Sequence, residues 1–201
     1  MRVKPILAAL VVAATLATGA CATGKDAVVQ GETFEFVSPD GKTEIHYDPP
    51  SERKPVATIS GPDLLDPGRT LTVQEDFAGK VVILNLWGQW CGPCRAESDD
   101  LQRLQDEFGP LGATVFGINL RDPNRQKPVD FVADNGITFP SIWDPSNAAV
   151  AALRGFPTSV VPATIILDKQ HRVAAVYLAE ITDDKLRDTV NGLLAEEGDA
   201  A

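Results

Sequence analysis

Along most of this chain, apolar residues fall into short unbroken runs separated by polar turns. Residues 81–86 (VVILNL) have the length of a central strand covered on both faces, interrupted only by Asn85. Residues 113–120 and 163–167 read the same way, and 173–178 forms a further strand joined to 163–167 by the polar turn 168–172. Between the strands the period lengthens. Leu101, Leu104 and Phe108 recur at helical spacing until Gly109-Pro110 stops the element. A second helix is predicted over 128–134, with Pro128 near its start and Asn135-Gly136 as its stop. A short helix over 146–153 closes at Gly155, and a last one runs from the capping residue Thr182 to about Ala195, with Asp183 and Asp184 in its first turn. Residues 142–143 predict a short strand. Upstream, 34–37 and 44–47 flank Pro39-Asp40-Gly41 and predict a hairpin. Residues 48–55 are a Pro- and charge-rich connection, and 56–59 and 71–73 are short strands around Asp66-Pro67-Gly68. The alternation of strands and helices predicts an α/β domain with a central sheet and helices on its faces.

The length of 201 residues allows one ordinary domain plus extra segments. Eighteen basic against 28 acidic residues leave a net charge of −10, and no basic cluster is visible, which argues against a nucleic-acid partner. At the N-terminus, Arg2 and Lys4 precede an apolar stretch over 6–17, well short of the roughly 20 residues a spanning helix needs. Thr18-Gly19-Ala20 then leads to Cys21. Small residues followed by Cys resemble a bacterial lipobox. That resemblance implies a signal peptide over 1–20 and a diacylated Cys21 that anchors the protein to the outer face of the cytoplasmic membrane, since two acyl chains suffice for stable anchoring. The other reading is an ordinary signal peptide cut after Ala20, which leaves a secreted protein. Both readings export the chain. The organisation expected is then a tether and hairpin over 21–54 and a domain over 55–197.

Export puts weight on the cysteines. There are three. If Cys21 carries lipid, Cys91 and Cys94 remain, too few for a zinc site or a disulfide framework. Cys91-Gly92-Pro93-Cys94 stands between the strand over 81–87 and a helical pattern. Two intervening residues let both thiols lie in the first helical turn, where free N–H groups and the helix dipole favour a thiolate at Cys91. Pro93 fits that turn because its missing N–H has no partner there in any case. Positions 94, 97, 101, 104 and 108 form one inward stripe, while 95, 98–100, 102–103 and 105–107 face out. Cys94 therefore points to the core, as a resolving thiol must, and Glu97 lies one turn below it. A carboxyl so placed can exchange the proton of Cys94, and desolvation raises its pKa. The alternative is that Glu97 bends to the rim and only solubilises the helix. Asn85 brings hydrogen bonds but no charge beneath the thiols. Trp87 is expected in the core and Trp90 on the rim of the active face.

Residues 81–94, VVILNLWGQWCGPC, resemble the active-site strand and turn of the thioredoxin superfamily. Asn85, Glu97 and the pieces GINLRD and ITFPSIWDP within 112–155 are similar to its extracytoplasmic TlpA/ResA-like thiol-disulfide oxidoreductases, and the resemblance covers about 55–195. It implies a thioredoxin-like three-layer α/β fold with a central mixed sheet flanked by helices, an N-terminal β-hairpin extension and a TlpA-type central insertion. It implies no cofactor and no metal. It further implies a cis-proline opposite the cysteines, for which Val161-Pro162 fits better than Pro157 because a strand follows at once. Substrate contacts are then expected from Trp90, Gly92, Pro93, Val161 and Pro162, with Cys91, Cys94 and Glu97 catalytic. The partners implied are disulfides of exported proteins, apocytochrome c among them, and a membrane electron donor of the CcdA type. Asp99 departs from the family, which often has Pro there.

Three rivals differ in chemistry. A Sco-like copper carrier on this fold has its cysteines three residues apart and a distant His. Here the gap is two, and His46 and His171 fall in a hairpin and a turn, as solvated histidines do. A peroxiredoxin needs a Thr shortly before its reactive Cys in a Pro-led loop, which Cys91 lacks. An oxidase or isomerase uses the same thiols at the opposite poise. Gly92-Pro93 leans toward reduction, and the sequence leaves the direction open.

Overall fold

The structure, a computed structural model, describes residues 33–37 and 41–196. The segment read as a signal peptide, the lipobox Cys21, and Pro39 and Asp40 of the expected turn lie outside the described residues.

Eight strands and four α-helices follow in chain order among the described residues. They are β1 (Glu44–His46), β2 (Ser60–Pro62), β3 (Thr70–Thr72), α1 (Val73–Asp76), β4 (Val81–Trp87), α2 (Gly92–Phe108), β5 (Ala113–Leu120), α3 (Gln126–Asp134), β6 (Ser141–Asp144), β7 (Ala163–Leu167), β8 (Val173–Tyr177) and α4 (Asp183–Ala195). Six strands make one mixed sheet in the order β1-β8-β7-β4-β5-β6. β4 and β5 run parallel, as do β5 and β6, while β7 lies antiparallel to β4. β4, β5, β7 and β8 are buried along their whole length, which is why they read as continuous apolar runs.

Alternation along β4 divides the core. Val82, Leu84 and Leu86 face one side, and Val81, Ile83 and Trp87 the other. The second side carries the buried residues of α2, α3 and α4, including Leu101, Leu104, Phe108, Val132, Leu186 and Val190. The first is covered by shorter pieces, among them Phe34, Phe36, Ile59, Leu71, Val73, Val150 and Phe156. The result is three layers with the sheet in the middle. The segment expected as a central insertion supplies β5, α3 and β6 and forms one end of the sheet.

The N-terminal hairpin is a correction. Residues 34–37 and 44–47 do not pair with each other among the described residues. β1 pairs antiparallel with β8, Glu44 opposite Tyr177. Phe34 and Phe36 donate their N–H groups to the carbonyls of Pro55 (2.7 Å) and Arg154 (2.8 Å). Two buried phenylalanines drew this segment onto the core instead of into a solvent-facing ribbon. Gly155 permits the approach. It sits at φ 70°, and a Cβ there would lie 2.6 Å from the Phe36 carbonyl oxygen. Arg53 closes the same region, reaching Glu196 through both carboxylate oxygens (2.8 Å each), Asp48 (3.0 Å) and Asp168 (3.5 Å).

Other expectations shifted. The strand over 56–59 forms further along, at β2. The helix over 146–153 shrinks to a 3-10 turn over Val150–Ala152, because the Asp144 carboxylate takes the N–H groups of Ala148, Ala149 and Val150 and fixes a tight loop. Ser98, expected on the outer face of α2, is buried, with its hydroxyl donating to the Arg95 carbonyl. His171 is not solvated: it is buried, Nε2 lies 3.1 Å from the Phe77 carbonyl oxygen, and desolvation pulls its pKa below the usual value.

Candidate active site

β4 ends at Trp87, and Gly88, Gln89 and Trp90 lead into Cys91, the N-cap of α2. The Cys91 backbone is extended (φ −90°, ψ 112°), and its sulfur accepts the Cys94 N–H at 3.2 Å. That contact satisfies one of the orphan donors every helix start leaves. Cys91 and Cys94 are joined as a disulfide. They are 5% and 3% exposed, so a partner reaches the sulfurs only by close docking. Gly92 and Pro93 between them are exposed.

Opposite Cys91, the Val161-Pro162 bond is cis, and the bond before Pro157 is not among the cis bonds. The Val161 carbonyl oxygen lies 3.8 Å from the Cys91 sulfur. Pro162 is buried, and β7 begins immediately after it. The structure thus gathers Trp90, Cys91, Gly92, Pro93, Cys94, Val161 and Pro162 at one end of the sheet.

Glu97 follows Cys94 by three residues on the buried face of α2 and is fully buried. The side of β4 that faces α2 carries Asn85, so strand and helix meet there. Asn85 Nδ2 donates to Glu97 Oε1 at 2.8 Å and to Thr164 Oγ1 at 3.2 Å. Thr164 is the partner of Asn85 in the β4–β7 register. The Ile181 N–H donates to Glu97 Oε2 at 3.0 Å. Burial pushes the Glu97 carboxyl up to about 7; the Ile181 and Asn85 hydrogen bonds oppose the rise, and the negative charges of Glu180 and Asp100 add to it. Its expected position is therefore inward, and the rim alternative does not hold.

Sequence reasoning missed a second buried carboxylate. Asp122, just past β5 and 2% exposed, accepts the Gln89 N–H (3.2 Å), the Gln89 side-chain amide (3.1 Å) and the Asn119 amide (2.8 Å). Its own carbonyl accepts the Trp143 indole N–H at 2.8 Å. The three-residue approach to Cys91 is thereby tied to the end of β5. The available signal was a charge directly after an unbroken apolar strand, at the carboxyl end of a parallel pair where sites gather in such sheets. Gly117 matters nearby, because a Cβ at that position would collide with Ser141 Oγ and Trp87 Nε1.

Comparison with known proteins agrees with this geometry. Residues 55–176 match the AhpC/TSA family. A DsbF homologue from Corynebacterium diphtheriae is 52% identical, covering 80% of this chain and 99% of that one, with a TM-score of 0.76. A secreted thiol-disulfide isomerase from Corynebacterium glutamicum is 50% identical over 82% of this chain and 99% of its own, with a TM-score of 0.79. The thiol-disulfide oxidoreductase ResA of Geobacillus thermodenitrificans is 28% identical over 114 residues, 56% of this chain. The match spans 62% of that relative, less than two thirds of its length. The chain belongs to the AhpC/TSA family of thioredoxin-like fold, and with its Cys91–Cys94 pair it is a thiol-disulfide oxidoreductase.

Proposed function

We propose that the protein works outside the cytoplasm and reduces disulfides in exported proteins. The observation that carries this reading is the buried Glu97 carboxyl, with a pKa of about 7, one turn below Cys94 at the start of α2. In the reduced enzyme the Cys91 thiolate attacks one sulfur of a client disulfide. The client S–S bond breaks, a mixed disulfide forms, and the second client sulfur leaves as a thiolate that takes a proton. Glu97, ionised, accepts the Cys94 proton. The Cys94 thiolate then attacks the Cys91 sulfur, the mixed disulfide breaks, and the first client sulfur leaves as a thiolate that takes the proton held by Glu97. Two electrons pass to the client with the Cys94 proton, the second proton comes from solvent, and the Cys91–Cys94 disulfide remains. The Val161 carbonyl near Cys91 supports docking of the client backbone as an added strand, with Trp90, Gly92, Pro93 and Pro162 around it.

The chemistry needs an external source of two electrons to start again. A membrane dithiol donor of the CcdA type meets that need, and acylated Cys21 keeps the enzyme beside it. Replacing Cys21 by Ser tests the anchor: the variant leaves the membrane fraction, and a protein that stays there unchanged has another attachment or none through Cys21. For the client, apocytochrome c presents a Cys-x-x-Cys-His disulfide. The reduced enzyme is expected to reduce a peptide of that type faster than a disulfide peptide of shuffled sequence. Equal rates remove apocytochrome c as the favoured client.

A second reading has one observation in its favour: a solved relative at 50% identity is a secreted thiol-disulfide isomerase. In that reading the same thiols form or rearrange disulfides, and the protein is released rather than anchored. Reduction potential separates the two.

A further inference from the structure

Trp90, 44% exposed beside Cys91, donates its indole N–H to the Leu120 carbonyl at 3.0 Å. The next residue, Arg121, adopts φ 55°, in the left-handed region that most residues avoid. Asp122 behind it is fixed by its three accepted hydrogen bonds. This backbone turn lays the Arg121 guanidinium over the indole, 4.5 Å from the ring centre, beside an open depression lined by both residues. Stacking occupies the flat face of a guanidinium and leaves its N–H edge, a fork that fits a carboxylate, able to bind one.

Arg53, Arg69, Arg103, Arg172 and Arg187 each hold an acidic partner. Arg95 and Arg121, like Arg125 and Arg154, have no ion pair among the described residues; of these, Arg95 directly follows Cys94 and Arg121 stacks on Trp90, the residue before Cys91. Arg95 is exposed and lies four residues after Cys91, on its side of α2. A protein with net charge −10 thus presents unneutralised positive charge where its reactive sulfur is.

We propose that Arg121, stacked on Trp90, is a specificity residue that selects clients with an acidic side chain beside the cysteine attacked by Cys91. Arg95 adds to the same local field. The proposal rests on the reading that protein disulfides are the substrates. At physiological ionic strength, charges more than about 8 Å apart are largely screened, so the preference comes from residues at the site and not from the net charge.

The test uses two disulfide peptides, identical except for Asp or Lys next to the cysteine, and reads the ratio of their reduction rates by the reduced full chain. Any effect of Arg121 on the Cys91 thiolate is common to both peptides and cancels in the ratio. The wild type is expected to favour the Asp peptide by about threefold to tenfold. Arg121→Gln brings the ratio toward one, and Arg121→Glu takes it below one. A wild-type ratio of one, or a ratio that Arg121→Glu leaves in place, overturns the proposal while the reducing function stands. Reaction with neither peptide, from a protein whose cysteines still exchange with dithiothreitol, overturns the substrate reading and the specificity with it.

Discussion

Asn85 holds Glu97 from below: its amide reaches Glu97 Oε1 at 2.8 Å and Thr164 Oγ1 at 3.2 Å, so β4, β7 and α2 meet at one buried polar point. The Ile181 N–H holds the other carboxylate oxygen. Two donors favour the ionised form, yet burial outweighs them, and the group titrates near 7. An Asp at position 85 would place two carboxylates here. The amide keeps a single proton site, tuned to the pH at which thiols exchange.

The first consequence is kinetic. Glu97→Gln removes the proton acceptor for Cys94, so resolution of a trapped mixed disulfide is expected to slow by about tenfold or more, within the range of general base catalysis. The inflection near pH 7 in the rate profile disappears with it. Stopped-flow mixing across pH 5–9 checks this, and an unchanged profile assigns Glu97 a structural role only.

The same carboxyl predicts a stability effect in the oxidised protein. Its folded pKa of about 7 lies above its ordinary value of 4.5. The folded state therefore binds the proton more tightly than the unfolded state does. The contribution is fully present below about pH 4.5 and is lost as pH rises toward 7. The shift corresponds to about 3 kcal/mol at most. Urea unfolding at pH 5 and pH 8 is expected to show wild type losing stability across this interval and Glu97→Gln losing less. Parallel losses would show that Glu97 does not set the dependence.

Asp122 predicts an effect from outside the thiol pair. Asp122→Ala leaves the Gln89 N–H, the Gln89 amide and the Asn119 amide without their acceptor. The loss is expected to be about 2–4 kcal/mol. Hydrogen exchange at Gln89 should accelerate more than exchange in α4. Uniform acceleration across the domain would mean that Asp122 supports global stability without fixing the approach to Cys91.

Arg53 supplies the contrast. Its partners Asp168 and Glu196 lie where β7 ends and after α4, at the end of the sheet opposite the cysteines. Arg53→Met breaks a buried charge cluster and is expected to cost about 3 kcal/mol in denaturant unfolding. The potential of the Cys91–Cys94 pair should not move. A shifted potential would show that the N-terminal segment acts on the site.

Strands buried on both faces were legible from the chain because they need no partner-dependent pattern. Ala113–Leu120 and Ala163–Leu167 have the bounds their apolar runs predict. The stripe through Cys94 and Glu97 was legible because α2 packs one face only. The edges were not. Glu44–His46 shows the right extended character, but three alternating residues do not name a partner, and β8 took the place of residues 34–37. His171 and Ser98 misled because polar side chains read as solvent-facing unless an acceptor is visible, and their acceptors are backbone carbonyls of Phe77 and Arg95. Asp122 offered only its place directly after β5 as a signal: its donors come from Gln89 and Asn119, which only the fold brings together around it.

The reduction potential of the Cys91–Cys94 couple tests the central claim most directly. The full chain is equilibrated with glutathione or dithiothreitol buffers, alkylated, and the two cysteines are read by mass spectrometry apart from Cys21. A value below about −220 mV is the result expected of a reductant supplied from the membrane. A value between about −180 and −120 mV would contradict it and assign the protein to disulfide formation or isomerisation.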